Sequence, residues 1–346
     1  MRELLSYGGV TTKIRAMKKN LFSDEEFREL VSLKNMEEVY RFLADTDAYR
    51  EALAPLAGSE IHREMIETAI DGALYKDFSK IYNFADPAQE RFLKKYARRY
   101  EISTLKKALS RIASGSGVLE GEPPHKAFFD KFTQLDVGKI AKASDLNELI
   151  RALEGTPYHE VMTSTAQRPG AEIFDYETAL DMYHFRDVWR DRKRIVPEGD
   201  VDTIAKAYGS RVDMLNLWFI RRAKVWYDIK PEEISQLILP VQYKLKRSEI
   251  TELIAAPDEE SFAQILKKTY YGRRYEELRP DNLEDMYVYV LKNVLRREAR
   301  EKPYSAASMF SYLYLREHQS YKVTAAIECV RYQLPQDEAL RSISVF

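Results

Sequence analysis

The stretch Arg15-Ala16-Met17-Lys18-Lys19-Asn20-Leu21-Phe22-Ser23-Asp24-Glu25-Glu26-Phe27-Arg28-Glu29-Leu30 decides the fold, because its pattern returns from Arg222 to Leu237. The second copy reads Arg222-Ala223-Lys224-Val225-Trp226-Tyr227-Asp228-Ile229-Lys230-Pro231-Glu232-Glu233-Ile234-Ser235-Gln236-Leu237. At matching offsets both copies hold Arg-Ala, then Glu-Glu, then a closing Leu. The first copy reads as two short helices. Ile14, Met17 and Leu21 line one face of the first. Ser23 caps the second, and Glu26 completes a capping box. In the second copy Pro231 sits where a first-turn proline is tolerated. Different local chemistry starts a helix at the same offset.

A shorter signal adds a third copy. Leu43-x-x-Thr46-x-x-Tyr49, Leu153-x-x-Thr156-x-Tyr158 and Leu266-x-x-Thr269-x-Tyr271 each close an amphipathic segment. The threonines stand 110 and 113 residues apart. Solenoid repeats run about 20–50 residues, whereas domains run about 100–150. The spacing therefore predicts three copies of one small helical domain, at 1–96, 97–208 and 209–346.

Composition narrows the class. The 346 residues are 45% hydrophobic and 32% charged, with only 13 Gly and 13 Pro, as expected of a strongly helical folded chain. Lys plus Arg number 54 and Asp plus Glu 55, a balance that argues against a nucleic-acid partner. Cys329 is the only cysteine, so no intramolecular disulfide forms and a reducing compartment is expected. The start, Met1 to Gly8, lacks the apolar core of a signal peptide. No run approaches the 18 or so apolar residues of a spanning helix. A cytoplasmic location is expected, with any membrane role peripheral.

Along the chain, Asn35 and Glu38 start a third helix. Ile61 to Phe78 and Phe92 to Tyr96 read as a long pair turned at Asp86-Pro87. Ile102, Leu105, Leu109 and Ile112 keep helical spacing in the second domain. Ser114-Gly115-Ser116-Gly117, extending to Pro123-Pro124, is the most broken stretch. Asp145 and Glu148 start another helix, and a long one follows Arg168-Pro169-Gly170. The third domain opens at Val212 to Trp218. Helices follow near Tyr287 to Arg300, around Phe310, Leu313 and Tyr314, and around Ile327 and Val330. A short one follows Leu334-Pro335. Alternating strand patterns are nearly absent, so the fold class is all-α.

Catalytic patterns are scarce. His62, His125, His159, His184 and His318 have no metal-ligand spacing and read as surface or hydrogen-bonded residues. Gly115-Ser116-Gly117 is too short to cradle phosphate. Cys329 lies in an apolar helical setting and reads as a buried thiol. Asp24-Glu25-Glu26 and Glu232-Glu233 sit in first turns, where negative charge suits the helix dipole. No catalytic, cofactor-binding or metal residue is assigned, and no nucleotide is expected to bind. Basic clusters occur at Arg91 to Arg99, Arg190 to Arg194 and Arg296-Arg297. They read as solvated helix faces, with docking on an acidic partner or lipid head groups as the alternative.

Taken in order, Tyr7, Arg15-Ala16-Met17-Lys18, the Leu-Thr-Tyr closers, Asn216 with Arg222-Ala223-Lys224, and Tyr312-Leu313-Tyr314-Leu315-Arg316-Glu317 resemble the C subunit of archaeal and bacterial V/A-type rotary ATPases. That family is related to the d subunit of the vacuolar proton pump. The resemblance covers essentially the whole chain. It departs from the family pattern at Ser103-Thr104, at Val241 after Pro240, and at His318 to Val323. It implies a funnel of three similar helical domains about a quasi-threefold axis. Such a protein would sit on the cytoplasmic face of the membrane, between the central-stalk shaft subunits and the membrane proteolipid ring. It would be non-catalytic, hold no cofactor, and couple rotation to proton or sodium transport. It does not say which residues touch either partner. An all-helical scaffold or adapter outside the rotary ATPases is the competing reading.

Overall fold

The computed structural model describes residues 2–119, 121–225 and 229–344. Helices make up 76% of the chain, with no strand among the described residues. Trp226, Tyr227 and Asp228 of the second long copy lie outside the described residues.

In chain order the helices begin with α1 (Arg2–Met17), α2 (Asp24–Val31), α3 (Met36–Asp45), α4 (Arg50–Leu53) and α5 (Arg63–Tyr82). Next come α6 (Pro87–Ala113), α7 (Lys126–Phe132), α8 (Val137–Lys142), α9 (Leu146–Ala152), α10 (Pro157–Ala166) and α11 (Ile173–Ile195). Then follow α12 (Val201–Val225), α13 (Pro231–Leu237), α14 (Arg247–Ala255), α15 (Glu259–Lys268) and α16 (Tyr270–Arg274). The last are α17 (Leu283–Glu301), α18 (Ala306–Arg331) and α19 (Gln336–Ser344). The chain divides into two compact units, Met1–Asp86 with Glu198–Phe346, and Pro87–Pro197. The borders expected at 96/97 and 208/209 fall inside α6 and α12, which run unbroken.

Caps explain why the short helices start where they do. Ser23 Oγ accepts the Glu26 N–H at 3.2 Å, and Glu26 accepts the Ser23 N–H at 2.7 Å, which is the capping box read from sequence. Asn35, Asp145 and Asp258 each accept a backbone N–H three residues on, at 2.9, 2.8 and 2.8 Å. Those three caps are spaced as the three threonines are. Pro231 opens α13, where its missing N–H costs nothing.

One plan recurs: a long helix, several short ones, then a second long helix packed along the first. In the unit Pro87–Pro197, α6 runs along α11, with α7, α8 and α9 against α6 and α10 against α11. In the other unit, α12 runs along α17 and α14 packs on α12. There too α18 runs along α5, with α2 and α3 on α18 and α4 on α5. Among the described residues, that unit holds two separate apolar clusters on its long-helix pairs. One gathers Met214, Leu217 and Ile220 with Leu253, Phe262, Leu266 and Val290. The other gathers Phe27, Leu30, Val39 and Leu43 with Ile66 and Ile70, and is closed by Val323, Ile327, Val330 and Ile343. That core draws on both ends of the chain. The segment around Phe310 and the segment around Ile327 are one helix, α18. The first of the two short helices read at Arg15 is the end of the 16-residue α1.

Gly209 shows how closely α12 is approached. A Cβ there would stand 2.4 Å from the Tyr243 ring. Alanine ordinarily stabilises a helix by about 1 kcal/mol over glycine. At this site overpacking dominates, and Gly209→Ala is expected to destabilise the fold by about 1–3 kcal/mol in urea titration. Tyr243→Ala in the same chain should relieve that strain.

Candidate functional site: three buried polar hubs

The Leu-Thr-Tyr signals are one structure built three times. Thr46, Thr156 and Thr269 each turn the hydroxyl back onto the Leu carbonyl three residues earlier, at 2.7 Å in all three. Their own N–H groups reach the same carbonyls at 3.1, 3.0 and 3.1 Å. Leu43, Leu153 and Leu266 are fully buried, and Tyr49, Tyr158 and Tyr271 are 1% exposed. A buried phenol needs a partner for its hydroxyl, and each finds it on a long helix.

In the third copy the partner is Asp213 on α12. Its Oδ2 accepts the Tyr271 hydroxyl at 2.9 Å and the Lys244 and Leu245 N–H groups at 2.7 and 3.0 Å, while Oδ1 accepts the Tyr243 N–H at 3.3 Å. Burial pushes the Asp213 carboxyl up to about 6, against the pull of the four donors. In the second copy Glu101 on α6 accepts the Tyr158 hydroxyl and the Gln134 N–H, the latter at 3.2 Å. Burial likewise raises its pKa above the usual carboxylate range. In the first copy the long helix is α18, and the residue is an amide. Gln319 Oε1 accepts the Phe22 N–H at 2.7 Å, and Nε2 donates to the Tyr49 hydroxyl at 3.3 Å.

The first hub adds a buried ion pair. Arg316 is fully buried. It donates to Tyr49 Oη at 2.8 Å, to Asp77 Oδ2 at 3.0 Å and to the Ala48 carbonyl at 3.2 Å, with its guanidinium 4.6 Å from the Tyr49 ring centre. Tyr312 donates to the same Asp77 oxygen at 3.0 Å. Each long-helix pair has such a bridge. Lys95 meets Asp187 at 2.6 Å between α6 and α11, and Lys206 meets the fully buried Glu298 at 2.9 Å between α12 and α17. Each hub thus ties a long helix, the loop before a short helix and the tyrosine after the Leu-Thr cap into one knot. Its polar atoms face one another. Among the described residues, no group of three or more His, Cys, Asp and Glu side chains is placed to hold a metal ion.

Sequence reasoning missed Glu101, Asp213, Gln319 and Asp77. The available signal was an acid set in an apolar run, as in Val212-Asp213-Met214-Leu215, at a constant distance before the tyrosine: Tyr158 follows Glu101 by 57 residues and Tyr271 follows Asp213 by 58. Of the residues carrying the resemblance, Tyr7 bonds the Asp200 carboxylate, and Asn216 clamps Leu239 through both backbone groups at 2.8 and 3.0 Å. Arg15 lies over the Tyr304 ring and Arg222 over Trp218. The basic clusters divide. Lys95, Arg98 and Arg190 turn onto Asp187, and Arg192 lies on Trp189, whereas Arg91, Lys193, Arg194 and Arg296 are exposed. Cys329 is buried, as expected. His318 is buried too, not superficial, and its ring stacks on Tyr314.

No described helix is long and apolar enough to cross a membrane. Among the proteins the sequence resembles are three archaeal ones, each named as the C subunit of an A-type ATP synthase. That of Methanocaldococcus jannaschii is 24% identical over 306 residues, covering 87% of this chain and 74% of the relative. That of Pyrococcus abyssi is 27% identical over 343 residues, covering 94% and 86%. That of Thermococcus kodakarensis is 22% identical over 335 residues, again covering 94% and 86%. The family described as ATP synthase (C/AC39) subunit matches residues 10–341. With that match running through all three hubs, the chain belongs to the ATP synthase (C/AC39) subunit family.

Proposed function

We propose that this chain is a non-catalytic central-stalk subunit of a V/A-type ATPase or ATP synthase, a socket that couples the rotor shaft to the membrane proteolipid ring. Its domains, 1–96, 97–208 and 209–346, stand about a quasi-threefold axis as a funnel. The narrow opening receives the foot of the shaft, and the broad face rests on the cytoplasmic side of the ring. The observation that carries this reading is the threefold recurrence of the Leu-Thr-Tyr hub in a member of this family.

Torque sets the physical requirement. A slender shaft and a wide ring do not match in shape, and an adapter between them must not deform as load passes. Interlocked buried polar groups specify one packing arrangement where an apolar core alone tolerates several. Three such knots spread the load over three bundles. Transport is the work of the assembly, and this subunit binds no nucleotide. The test is reconstitution with purified shaft subunits and, separately, with the proteolipid ring. Binding to both is expected, and removal of the subunit should uncouple ATP hydrolysis from ion transport. Full coupling without it, or binding to neither partner at low salt, defeats the reading.

A further inference from the structure

Several buried cations of this fold are answered by a carboxylate, as Arg316 is by Asp77 and Lys95 by Asp187. A group on α17 and α18 is not. Lys292, Arg296 and Arg300 follow one another at four-residue steps along α17, and like charges at that spacing repel. On α18, Lys322 stands one turn after His318, with its ammonium 5.2 Å from the Phe27 ring centre. Among the described residues, none of Lys292, Arg296, Arg300 and Lys322 has a carboxylate within ion-pair distance. Asp24, exposed in the first turn of α2, attracts both lysines only from further away. His318 is 8% exposed, and its Nε2 is buried without a hydrogen-bond partner.

The group is electrostatically strained. Burial first, then Lys322 and Arg296, brings Lys292 down to about 8. Burial, Lys292 and Lys322 bring His318 down to about 3. A desolvated cation without an anion is costly unless something supplies the anion. The same two helices expose Tyr289, at 51%, three residues before Lys292, and Tyr321, at 53%, beside Lys322. Tyrosine and arginine are the residues enriched where proteins meet. Neither helix exposes a large aliphatic, Phe or Trp side chain of the kind that enters acyl chains. Charge and aromatic content therefore favour a protein partner over a lipid surface.

We propose that the face of α17 and α18 around Lys292, Arg296, His318 and Lys322 is a docking site for a carboxylate-bearing segment of a partner protein. The carboxylate sits between Lys292 and Lys322, within reach of the His318 imidazole, and the two tyrosines flank it. This inference rests on the charge and burial of one face, and not on the socket reading above.

Its test uses the full chain, with hexaglutamate as the probe, hexaserine as the neutral control, and inorganic phosphate and phosphatidylglycerol vesicles as competing anions. Hexaglutamate is expected to bind at low salt, to weaken as ionic strength rises, and to raise the His318 pKa followed by NMR. The Lys292→Gln/Lys322→Gln variant should lose affinity by about tenfold or more. Lys193→Gln on α11 should leave it unchanged. Helix content of each variant by circular dichroism guards against misfolding, and a chain that misfolds is replaced by Lys292→Arg, which keeps the charge and should keep the binding. Absence of hexaglutamate binding overturns the proposal, as does binding that ignores both lysines. Tighter capture of phosphate or vesicles by the same lysines overturns the assignment to a protein partner. Failure of the chain to join an ATPase assembly would count against the socket reading and leave these outcomes as they stand.

Discussion

Arg316→Met should destabilise the core formed by α2, α3, α5 and α18 by about 3 kcal/mol, the low end for breaking a buried pair, because Asp77 keeps other partners. Arg316 is fully buried and Asp77 is 5% exposed, so solvent screens neither. Without the guanidinium, Asp77 keeps the Tyr312 hydroxyl and Lys80, at 3.0 and 3.3 Å. Tyr49 loses its strongest donor, and the Ala48 carbonyl loses its bond. Hydrogen exchange localises the effect: protection should fall by about a hundredfold or more in α2, α3 and α18. Asp77→Asn should also be costly, because it strands the arginine. The double variant holds no buried charge and should cost clearly less than the sum of the two. Additive effects would mean that the pair does not act as a unit.

Asp213→Ala should cost at least about 3 kcal/mol, because it orphans four donors at once, and each buried orphan costs about 1–3 kcal/mol before any water enters. Asp213→Asn separates charge from shape. The folded carboxyl titrates near 6, above the ordinary aspartate value, so the native state holds its proton longer than the unfolded chain does. Stability from this group is therefore greatest in acid, and it falls as pH rises from about 4 to 6, by about 3 kcal/mol. The advantage of the natural chain over Asp213→Asn should shrink across that window and level off above it. Glu101 has the same sign. His318 has the opposite sign: its folded pKa is lowered to about 3, so its contribution is complete above its ordinary pKa and is lost as pH falls below it. Only the difference between variants, measured by urea unfolding at several pH values, isolates Asp213. A gap that widened with rising pH would contradict the assignment.

The helices and caps were legible in sequence because the signals are local. A capping box spans Ser23 to Glu26, and a Leu-Thr cap spans Leu43 to Thr46, so neighbouring residues suffice. The hubs were not legible, because one role is filled by Glu101, Asp213 and Gln319, three different residues whose partners are remote in sequence. The long match between Arg15 and Arg222 shows the opposite failure. Both arginines lie in the last turn of a long helix, nine residues before a short one begins. Yet that match has an offset of 207 residues, while Thr46 and Thr269 have 223. The hydrogen bonds follow the threonines, so α2 corresponds to α14 and not to α13. Two helix ends with similar chemistry had mimicked the register. The basic cluster at Arg91 to Arg99 was ambiguous for the same reason as the hubs: the acid that turns Lys95 and Arg98 inward is Asp187, far along the chain.

The completion of the first core by α18 bears on the chain as it leaves the ribosome. Phe27, Leu30, Val39 and Leu43 are made early, but their partners Val323, Ile327 and Val330 belong to α18 and are made much later. Gln319 meets Phe22 across 297 residues. Until then α3 has α4 beside it, but the helix that packs on both α2 and α3 is missing, and long closures are the slow ones. The unit Pro87–Pro197 carries its own long-helix pair and can settle while synthesis continues. A chain stopped before α18 leaves its beginning unfinished, however much of its middle has folded. α18 therefore decides when that surface is hidden: the apolar faces of α2 and α3 stay open to chaperones and proteases until Val323, Ile327 and Val330 arrive to close them.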